Sequence, residues 1–321
     1  MFSTGPSGLE ALLHRPRRPT RWQHFASNPI TYIAQLIYNL RPIPKGNTAS
    51  TTTTGSFNSP VTVVCISDTH NCQPHIPDGD ILIHAGDLTQ SGSRAELQEA
   101  ISWLNRLPHK YKIVIAGNHD ISLDPATYTL KEHDPVQLPR KLVWGDVIYL
   151  QSSSVKLTFF GENKREISVY GSPFSPSHGN WAFQYPRRGD FWLESIPEET
   201  DVLVTHAPPR GHLDLGYGCE SLLRELWRLR CRPGLHVFGH VHEGYGVEVG
   251  VFDGLQRVYE GVVMGRGNRV WGLIKMLGEL LKVWVRMGWR CENVRRTSFV
   301  NASIVGGLLD EERREPVIVT I

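Results

Sequence analysis

The stretch VFGHVHEGYG places two histidines, His240 and His242, one residue apart where an apolar run gives way to glycine. A buried imidazole costs free energy unless it is hydrogen-bonded or binds a metal, so this pair requires partners. Four other apolar runs also end in polar side chains. These are Asp68 and His70 in ISDTHN, Asp87 in HAGDLT, Asn118, His119 and Asp120 in AGNHD, and His206 in VTHAPP. The sequence therefore predicts one site built from five separate strand ends.

Metal binding is the chemistry that these side chains predict. The carboxyl ends of strands lie along a common edge of a sheet, so groups that follow five strands converge there. Residues two apart in extended chain point the same way, which pairs Asp68 with His70 and His240 with His242. Seven side chains are candidate ligands: Asp68, His70, Asp87, Asn118, His206, His240 and His242. This set is too large for one ion and suits two divalent transition-metal ions about 3.5 to 4 Å apart, with Asp87, alone at its strand end, as the bridge. Because Mn, Fe, Zn and Ni all accept such donors, the metal identity stays open.

The elements that carry these residues alternate between strand and helix patterns from Val61 onward. The runs VTVVCIS and DILIHAGD precede a capping box formed by Ser93 and Glu96, and the strand YKIVIAG follows that helix. Between 143 and 172 three strand-like runs occur without a helix, which indicates antiparallel pairing in a second sheet. The runs DVLVTHA, LHVFGH, RVYEGV, TSFVNAS and PVIVTI add further strands. The predicted fold is α/β (α+β), a two-sheet β-sandwich flanked by helices.

The pattern along the chain predicts two parts. Residues 1–60 form an N-terminal arm, a helix over about 22–42 and a Ser/Thr-rich linker, and residues 61–321 form the catalytic domain. A basic amphipathic helix is predicted over about 268–290, with an apolar face that is wide for a surface helix. We expect this helix to cover the sheet, or to contact a membrane surface or a protein partner. We expect the segment 22–42 to pack on the catalytic domain, or to contact a membrane surface or a partner.

The composition limits the classes of partner and compartment. A net charge of +2 gives no reason to expect nucleic acid as an obligatory partner. The five cysteines are scattered and form no C-x-x-C pair, which argues against a disulfide framework and favours a reducing compartment. The first residues lack the order of a secretory signal, and the arginines at 15, 17, 18 and 21 suit a basic arm or a transit peptide. We expect a cytoplasmic protein.

In this order, the motifs D-x-H, G-D, G-N-H-D, H and G-H-x-H resemble the calcineurin-like metallophosphoesterase superfamily. The resemblance covers about residues 61–305 and is specific, because five separated motifs must coincide. The stretches GSPFSPSHGNWAF at 171–183 and THAPPRGHLD at 205–214 further resemble the metallophosphoesterase-domain-containing branch, whose animal members hydrolyse cyclic nucleotides.

The resemblance implies roles for individual residues. The first metal would be held by Asp68, His70, Asp87 and His242, and the second by Asp87, Asn118, His206 and His240. His119 would be catalytic and not a ligand, stabilising the transition state or protonating the leaving alkoxide. Asp120 would orient the His119 imidazole and support its charged form.

The predicted function is that of a metal-dependent phosphoric ester hydrolase, in which a metal-bridging hydroxide attacks phosphodiester or phosphomonoester bonds. Small soluble phosphoesters are the expected substrates, with cyclic nucleotides as the leading candidate. Trp181 and Phe183 are expected either to stack on a base or to pack in the core, and His178 and His212 to line the pocket. The alternative is a non-catalytic protein-binding scaffold on the same fold, docking through 22–42 or 268–290.

Overall fold

The computed structural model describes residues 21–42, 60–130, 141–160, 164–289, 296–307 and 310–321. The predicted arm over 1–20 and most of the predicted linker lie outside them. The α-helices in the described part are α1 Arg21–Ser27, α2 Pro29–Asn39, α3 Arg94–Asn105, α4 Pro125–Leu130, α5 Glu220–Arg228, α6 Gly254–Val263 and α7 Arg269–Trp289. The strands are β1 Thr62–Ile66, β2 Ile81–His84, β3 Tyr111–Val114, β4 Val147–Tyr149, β5 Ser153–Phe159, β6 Arg165–Ser172, β7 Ser175–Pro176, β8 Gln184–Tyr185, β9 Val202–Thr205, β10 Leu235–Phe238, β11 Gly246–Gly250, β12 Thr297–Asn301, β13 Val305–Gly306, β14 Glu312–Arg313 and β15 Val317–Thr320.

Two sheets pack face to face and form the larger compact unit, whose described residues are 60–130, 141–160, 164–252, 296–304 and 314–321. The first sheet has the order β15-β1-β2-β3-β4, and the second has the order β11-β12-β10-β9-β6-β5. Neighbouring central strands are parallel in both sheets, and antiparallel strands stand at three edges. Their inner faces share one core, in which Val63 and Ile113 of the first sheet pack with Val169 and Val237 of the second. The predicted two-sheet sandwich is confirmed.

The central strands are short and apolar because helices or the other sheet cover both of their faces. Every residue of β2 and β10 is buried, and such continuous apolar runs are typical of parallel strands. The expectation for 143–172 is only partly right. Strands β5 and β6 pair antiparallel in the second sheet, but β4 joins the first sheet parallel to β3.

The predicted capping box of α3 is present. The Ser93 hydroxyl accepts the Glu96 backbone N–H, and the Glu96 carboxylate accepts the Ser93 N–H, both at 3.3 Å. Leu97, Ile101 and Leu104 then lie on the buried face of the helix, against the outer side of the first sheet. The cap fixes where the helix begins, and the apolar spacing fixes which face it buries.

A second compact unit, here called the helical unit, contains the described residues 21–42, 253–289, 305–307 and 310–313. The run RVYEGV, predicted as a strand, lies in helix α6, so that prediction is wrong. The Asp253 side chain accepts the N–H of Gln256 and caps the helix. Leu255 and Tyr259 then fall on one buried face at helical spacing.

The predicted basic helix over about 268–290 is α7. Its buried Met276 and Leu280 pack with Ala34 of α2 and Tyr259 of α6, so its described packing partners are helices. The predicted division at residue 60 stays a prediction. Among the described residues, none of the helices combines the length and apolar character that a membrane crossing requires.

Candidate metal centre

Five strands of the larger unit deliver the predicted site residues at their carboxyl ends. Asp68 and His70 follow β1, Asp87 follows β2, and Asn118 follows β3, all in the first sheet. His206 follows β9, and His240 and His242 follow β10, all in the second sheet. The two sheets therefore face each other across one group of polar loops, as the strand-end pattern predicted.

The backbone is strained at four of the predicted ligands. Asp68, His70, Asp87 and His240 have φ angles of 50°, 43°, 54° and 66°, in the left-handed region that non-glycine residues seldom adopt. Each such conformation costs about 1 to 3 kcal/mol and persists only where surrounding contacts impose it. Here the backbone N–H of Asp68 donates to the carbonyl oxygen of Gly86, and that of His70 donates to the carbonyl oxygen of Asp87. The backbone N–H of His240 donates to the side-chain carboxylate of Asp68. The strain turns the side chains of these loops toward one centre.

One set of donor atoms is formed by Asp68, His70 and His242. Nε2 of His242 lies 3.3 Å from Oδ1 of Asp68 and 3.4 Å from Nε2 of His70. The ligand atoms of these three residues all lie within 4.8 Å of one another. This is the first ligand set implied by the resemblance, apart from Asp87.

A second set is formed around His206. Its Nε2 lies 3.3 Å from Oδ2 of Asp87, 3.0 Å from Oδ1 of Asn118 and 3.2 Å from Nδ1 of His240. The same Oδ2 of Asp87 lies 3.9 Å from Nε2 of His70 in the first set. Asp87 thus stands between the two sets, where a bridging carboxylate is expected.

The donor atoms fit divalent transition-metal ions. Two pairs of imidazole nitrogens face each other, His70 with His242 and His206 with His240. A proton can link only two of these nitrogens in one hydrogen bond, whereas a metal ion can accept lone pairs from several donor atoms at once. Carboxylate oxygen, amide oxygen and imidazole nitrogen without thiolate are the donors that Mn, Fe, Zn and Ni accept. The structure brings all seven predicted ligands together, and metal ligation by them stays a prediction.

Two glycines allow the carboxylates to approach the backbone. A Cβ atom at Gly239 would collide with the Asp68 carboxylate and the Ser67 side chain, and one at Gly117 would collide with the Asp87 carboxylate. Any larger residue would push a ligand loop away from the centre. The glycines of FGH and AGN in the sequence are therefore required by packing at the site.

Opposite charges dominate the electrostatics of the second set. Burial raises the pKa of Asp87, but the charge and hydrogen bond of His206 hold it well below its usual range. Burial lowers the pKa of His206, but the Asp87 charge raises it to about 9. Burial, together with His206 and His178, lowers the pKa of His240 to about 3. Without metal, the charged Asp87 and His206 thus form a buried ion pair. A divalent metal ion that binds here would replace the proton on His206.

His119 lies beside the two sets and is held from two sides. Its Nδ1 lies 2.8 Å from the carbonyl oxygen of Gln90, which requires that this nitrogen carries the hydrogen. Its ring stacks on Trp181 with a centroid distance of 4.4 Å and meets the His70 ring edge to face at 4.7 Å. His119 also forms a third candidate ligand set with His70 and Asp87. Distance alone therefore fits either role, and its predicted catalytic role stays a prediction.

The predicted contact between Asp120 and the His119 imidazole is wrong. The Asp120 carboxylate is fully buried and accepts hydrogen bonds from Gly117, Leu88 and Thr89. Burial and the Asp87 charge raise the pKa of Asp120 to about 6. Adjacent residues in this turn point to different sides, so Asp120 joins the β2 and β3 loops while the Gln90 carbonyl orients His119.

Several residues at the site were not predicted from the sequence. The Ser303 hydroxyl lies 2.9 Å from Oδ2 of Asp68, and the Arg314 guanidinium donates to the carbonyl of His242 and the carboxylate of Glu243. Ser303 follows β12, so the strand-end argument extended to TSFVNAS would have found it. Arg314 has no such signal, because a long side chain reaches the loop from a distant part of the chain.

The remaining predicted residues divide between the site and the core. The His178 ring meets the His240 ring at 4.7 Å, so it lies beside the second set. His212 is buried, contacts Glu248 at 2.9 Å and stacks on Phe299, which removes it from the predicted pocket lining. Phe183 is 2% exposed and belongs to the core, whereas Trp181 is 37% exposed.

Comparisons with known proteins agree with the motifs. The family model of calcineurin-like phosphoesterases matches residues 61–244, which include all seven predicted ligands. Metallophosphoesterase domain-containing protein 1 of Homo sapiens is 41% identical over 210 residues, which are 57% of this chain and 61% of that protein. A UPF0046 protein of Caenorhabditis elegans is 40% identical over 222 residues, which are 60% of this chain and 70% of that protein.

A third relative matches over a longer stretch. A protein of Emericella nidulans named probable rhamnogalacturonate lyase C is 44% identical over 317 residues. These residues are 98% of this chain but 29% of that protein, so the chain spans less than a third of its length. The match extends through the helical unit as well as the metal site.

Proposed function

The chain belongs to the calcineurin-like phosphoesterase family, as the order of its motifs predicted, and we propose that it hydrolyses phosphodiester or phosphomonoester bonds with two divalent metal ions. The observation that carries this proposal is the position of Asp87. One carboxylate oxygen lies 3.3 Å from a nitrogen of the second ligand set and 3.9 Å from a nitrogen of the first. A shared carboxylate between two donor sets is the arrangement that a two-metal hydrolase requires.

The metal ions would supply a water of lowered pKa as nucleophile and neutralise charge on the phosphate oxygens. The protein contributes fixed positions for their ligands. The N–H of His240 and the hydroxyl of Ser303 hold the Asp68 carboxylate, and the N–H of His119 donates to Oδ1 of Asp87 at 2.7 Å. These contacts leave the opposite oxygen of Asp87 directed at the two donor sets.

His119 is the group we assign to proton transfer. Because Nδ1 donates to the Gln90 carbonyl, Nε2 is the nitrogen that remains to protonate the leaving alkoxide. Stacking on Trp181 keeps the imidazole plane fixed. Loss of a positioned proton donor typically reduces turnover by about 10²-fold to 10⁴-fold.

Small phosphoesters, with cyclic nucleotides first, are the substrate class we propose. Trp181 supports this choice, because an exposed indole beside His119 offers an apolar surface for a nucleobase. A panel of nucleotide monoesters and diesters, scored by kcat/KM on metal-loaded protein, tests it. A panel in which nucleotides are poorer substrates than simple aryl phosphoesters would contradict this part of the proposal.

Hydrolysis of bis-p-nitrophenyl phosphate by the full chain with added manganese tests the function itself. We expect turnover by the wild type, and loss of at least about 100-fold in kcat for His119→Ala with unchanged metal content. The exposed His75, which is not part of the ligand motifs, provides the matched control His75→Ala, which should retain full activity. An inert wild type across Mn, Fe, Zn and Ni would instead support a non-catalytic scaffold.

We also propose a cytoplasmic location. Cys65, Cys72, Cys219 and Cys231 are free thiols in the described part of the chain, and Cys65 and Cys219 are buried. Free thiols persist most readily in reducing compartments. Fractionation of expressing cells that recovers the protein from an oxidising compartment would contradict this location.

A further inference from the structure

Helix α7 of the helical unit has two apolar faces, and only one of them packs against other helices. Met276 and Leu280 are buried against α2 and α6, with Leu273 and Val283 partly buried beside them. Along the other side runs a second stripe of large apolar residues, each between 52% and 65% exposed. These residues, here called the outer stripe, are Val270, Trp271, Ile274, Leu277, Leu281, Trp284 and Val285.

The outer stripe is continuous along the helix. Residues 270, 274, 277, 281 and 285 follow the spacing of one helical face, and they extend over about 22 Å at 1.5 Å per residue. Proteins in water rarely leave contiguous apolar surface of this size uncovered, and such surfaces mark sites of interaction. In the described part of the chain, α7 does not combine the length and apolar character that a membrane crossing requires, and the outer stripe runs along the helix axis.

The charges that border the outer stripe are positive. Lys275 and Lys282 are exposed and lie seven residues apart, on the same side of the stripe. Within residues 266–290, Glu279 is the only acidic residue, against six basic residues. Helical spacing puts Glu279 away from the stripe, where its carboxylate contacts Nζ of Lys282 at 2.6 Å.

These features together define the chemistry of the partner. Tryptophans at positions 271 and 284 place an amphipathic ring near each end of the stripe, and tryptophan prefers the interface between lipid headgroups and acyl chains. Lysines along one border match a negatively charged surface. We propose that the outer stripe of α7 binds the surface of an anionic lipid bilayer, with the helix axis parallel to the membrane plane. This proposal is independent of the phosphoesterase activity.

Helices α1 and α2 of the same unit agree with this surface role. Trp22 is 77% exposed, and Leu36 and Leu40 are 50% and 60% exposed. The helical unit thus presents further large apolar side chains to solvent besides those of α7. A surface that inserts a few side chains shallowly into a bilayer has this composition.

Vesicle co-sedimentation of the full chain tests the proposal, using vesicles of phosphatidylcholine alone and of phosphatidylcholine mixed with phosphatidylserine. We expect binding to the anionic vesicles that weakens as salt increases, and weaker binding to the neutral ones. Trp271→Gln with Trp284→Gln should lower the affinity for anionic vesicles by at least about tenfold. Lys275→Gln with Lys282→Gln should lower it by roughly 30-fold on anionic vesicles and leave binding to neutral vesicles unchanged.

A matched control comes from an exposed aromatic residue in the larger unit. Phe160 is 81% exposed, so Phe160→Ser removes apolar surface elsewhere and should leave vesicle binding unchanged. Circular dichroism and thermal unfolding show whether each variant folds as the wild type does. The proposal is overturned if the folded wild type does not bind anionic vesicles, or if the tryptophan pair has no effect. A dimer that the tryptophan substitutions dissociate, without vesicle binding by the wild type, would assign the stripe to self-association instead.

Discussion

Proton release on metal binding follows directly from the electrostatics of the site. Asp87 and His206 form a buried pair at 3.3 Å, and although burial lowers the pKa of His206, the Asp87 charge raises it to about 9. Burial and neighbouring imidazoles lower the pKa of His240 to about 3. At pH 7 without metal, His206 is therefore charged and His240 is neutral. An imidazole must be neutral to bind a metal, so an ion that enters the second set displaces the His206 proton.

The number of protons can be worked out from these values. A group whose pKa lies about two units above the solution pH is about 99% protonated, so metal binding at pH 7 should release about one proton from His206. The affinity for this ion should rise about tenfold for each pH unit and level off above pH 9. Asp87→Asn removes the largest charge that opposes burial, so the pKa of His206 should fall and fewer protons should be released from it at pH 7.

Calorimetric titration of manganese into chelator-treated full chain measures this release when it is run in two buffers of different ionisation enthalpy. His75→Ala, on an exposed loop, is the control and should release as many protons as the wild type. A wild type that releases no proton at pH 7 would refute the reasoning. So would a variant Asp87→Asn that still binds the metal and releases as many protons as the wild type.

Three further predictions concern the support of the site and the core. Ser303→Ala removes a 2.9 Å hydrogen bond to the Asp68 carboxylate and should lower manganese affinity by about 10-fold to 100-fold in the same titration. Unchanged affinity would show that this hydrogen bond does not help to position the ligand. Gly239→Ala forces a methyl group into the Asp68 carboxylate and should lower the free energy of unfolding in urea by about 1 to 3 kcal/mol. The control Gly261→Ala places its methyl group in open space on helix α6 and should not lower the free energy of unfolding; equal effects of the two variants would contradict the packing argument. Burial lowers the pKa of His84 and His236 to about 3 from 6.5, so the unfolded chain binds more protons between these values, and stability should rise with pH over about 3 to 6.5. In urea unfolding at several pH values, His84→Gln with His236→Gln should give a shallower stability profile than the wild type, and equal slopes would contradict the reasoning.

The sequence predicted the ligand positions well because their signal is local. An apolar strand that ends in Asp, Asn or His identifies both the element and the polar group that it delivers, as at Asp87 and His206. The sandwich followed from the same strands, since their alternation with helices limits the ways in which sheets can cover one another. The capping box at Ser93 was likewise readable from four consecutive positions.

The sequence failed where the outcome depends on side-chain direction or on distant packing. Asp120 follows His119 directly, yet it turns into the core and leaves the imidazole to a backbone carbonyl that no sequence motif marks. The run RVYEGV has the composition of a strand. It forms part of helix α6 because Asp253 caps that helix and its apolar face packs on other helices. Strand β4 joins the first sheet because β3 offers a free parallel edge there, which periodicity does not show.

The most direct test of the two-metal site is a crystal structure of the manganese-loaded full chain with anomalous scattering data. We predict two anomalous peaks about 3.5 to 4 Å apart, with the Asp87 carboxylate between them and the other six predicted ligands divided as the two donor sets describe. A single peak, no peak, or a pair of peaks bound by other residues would contradict the account.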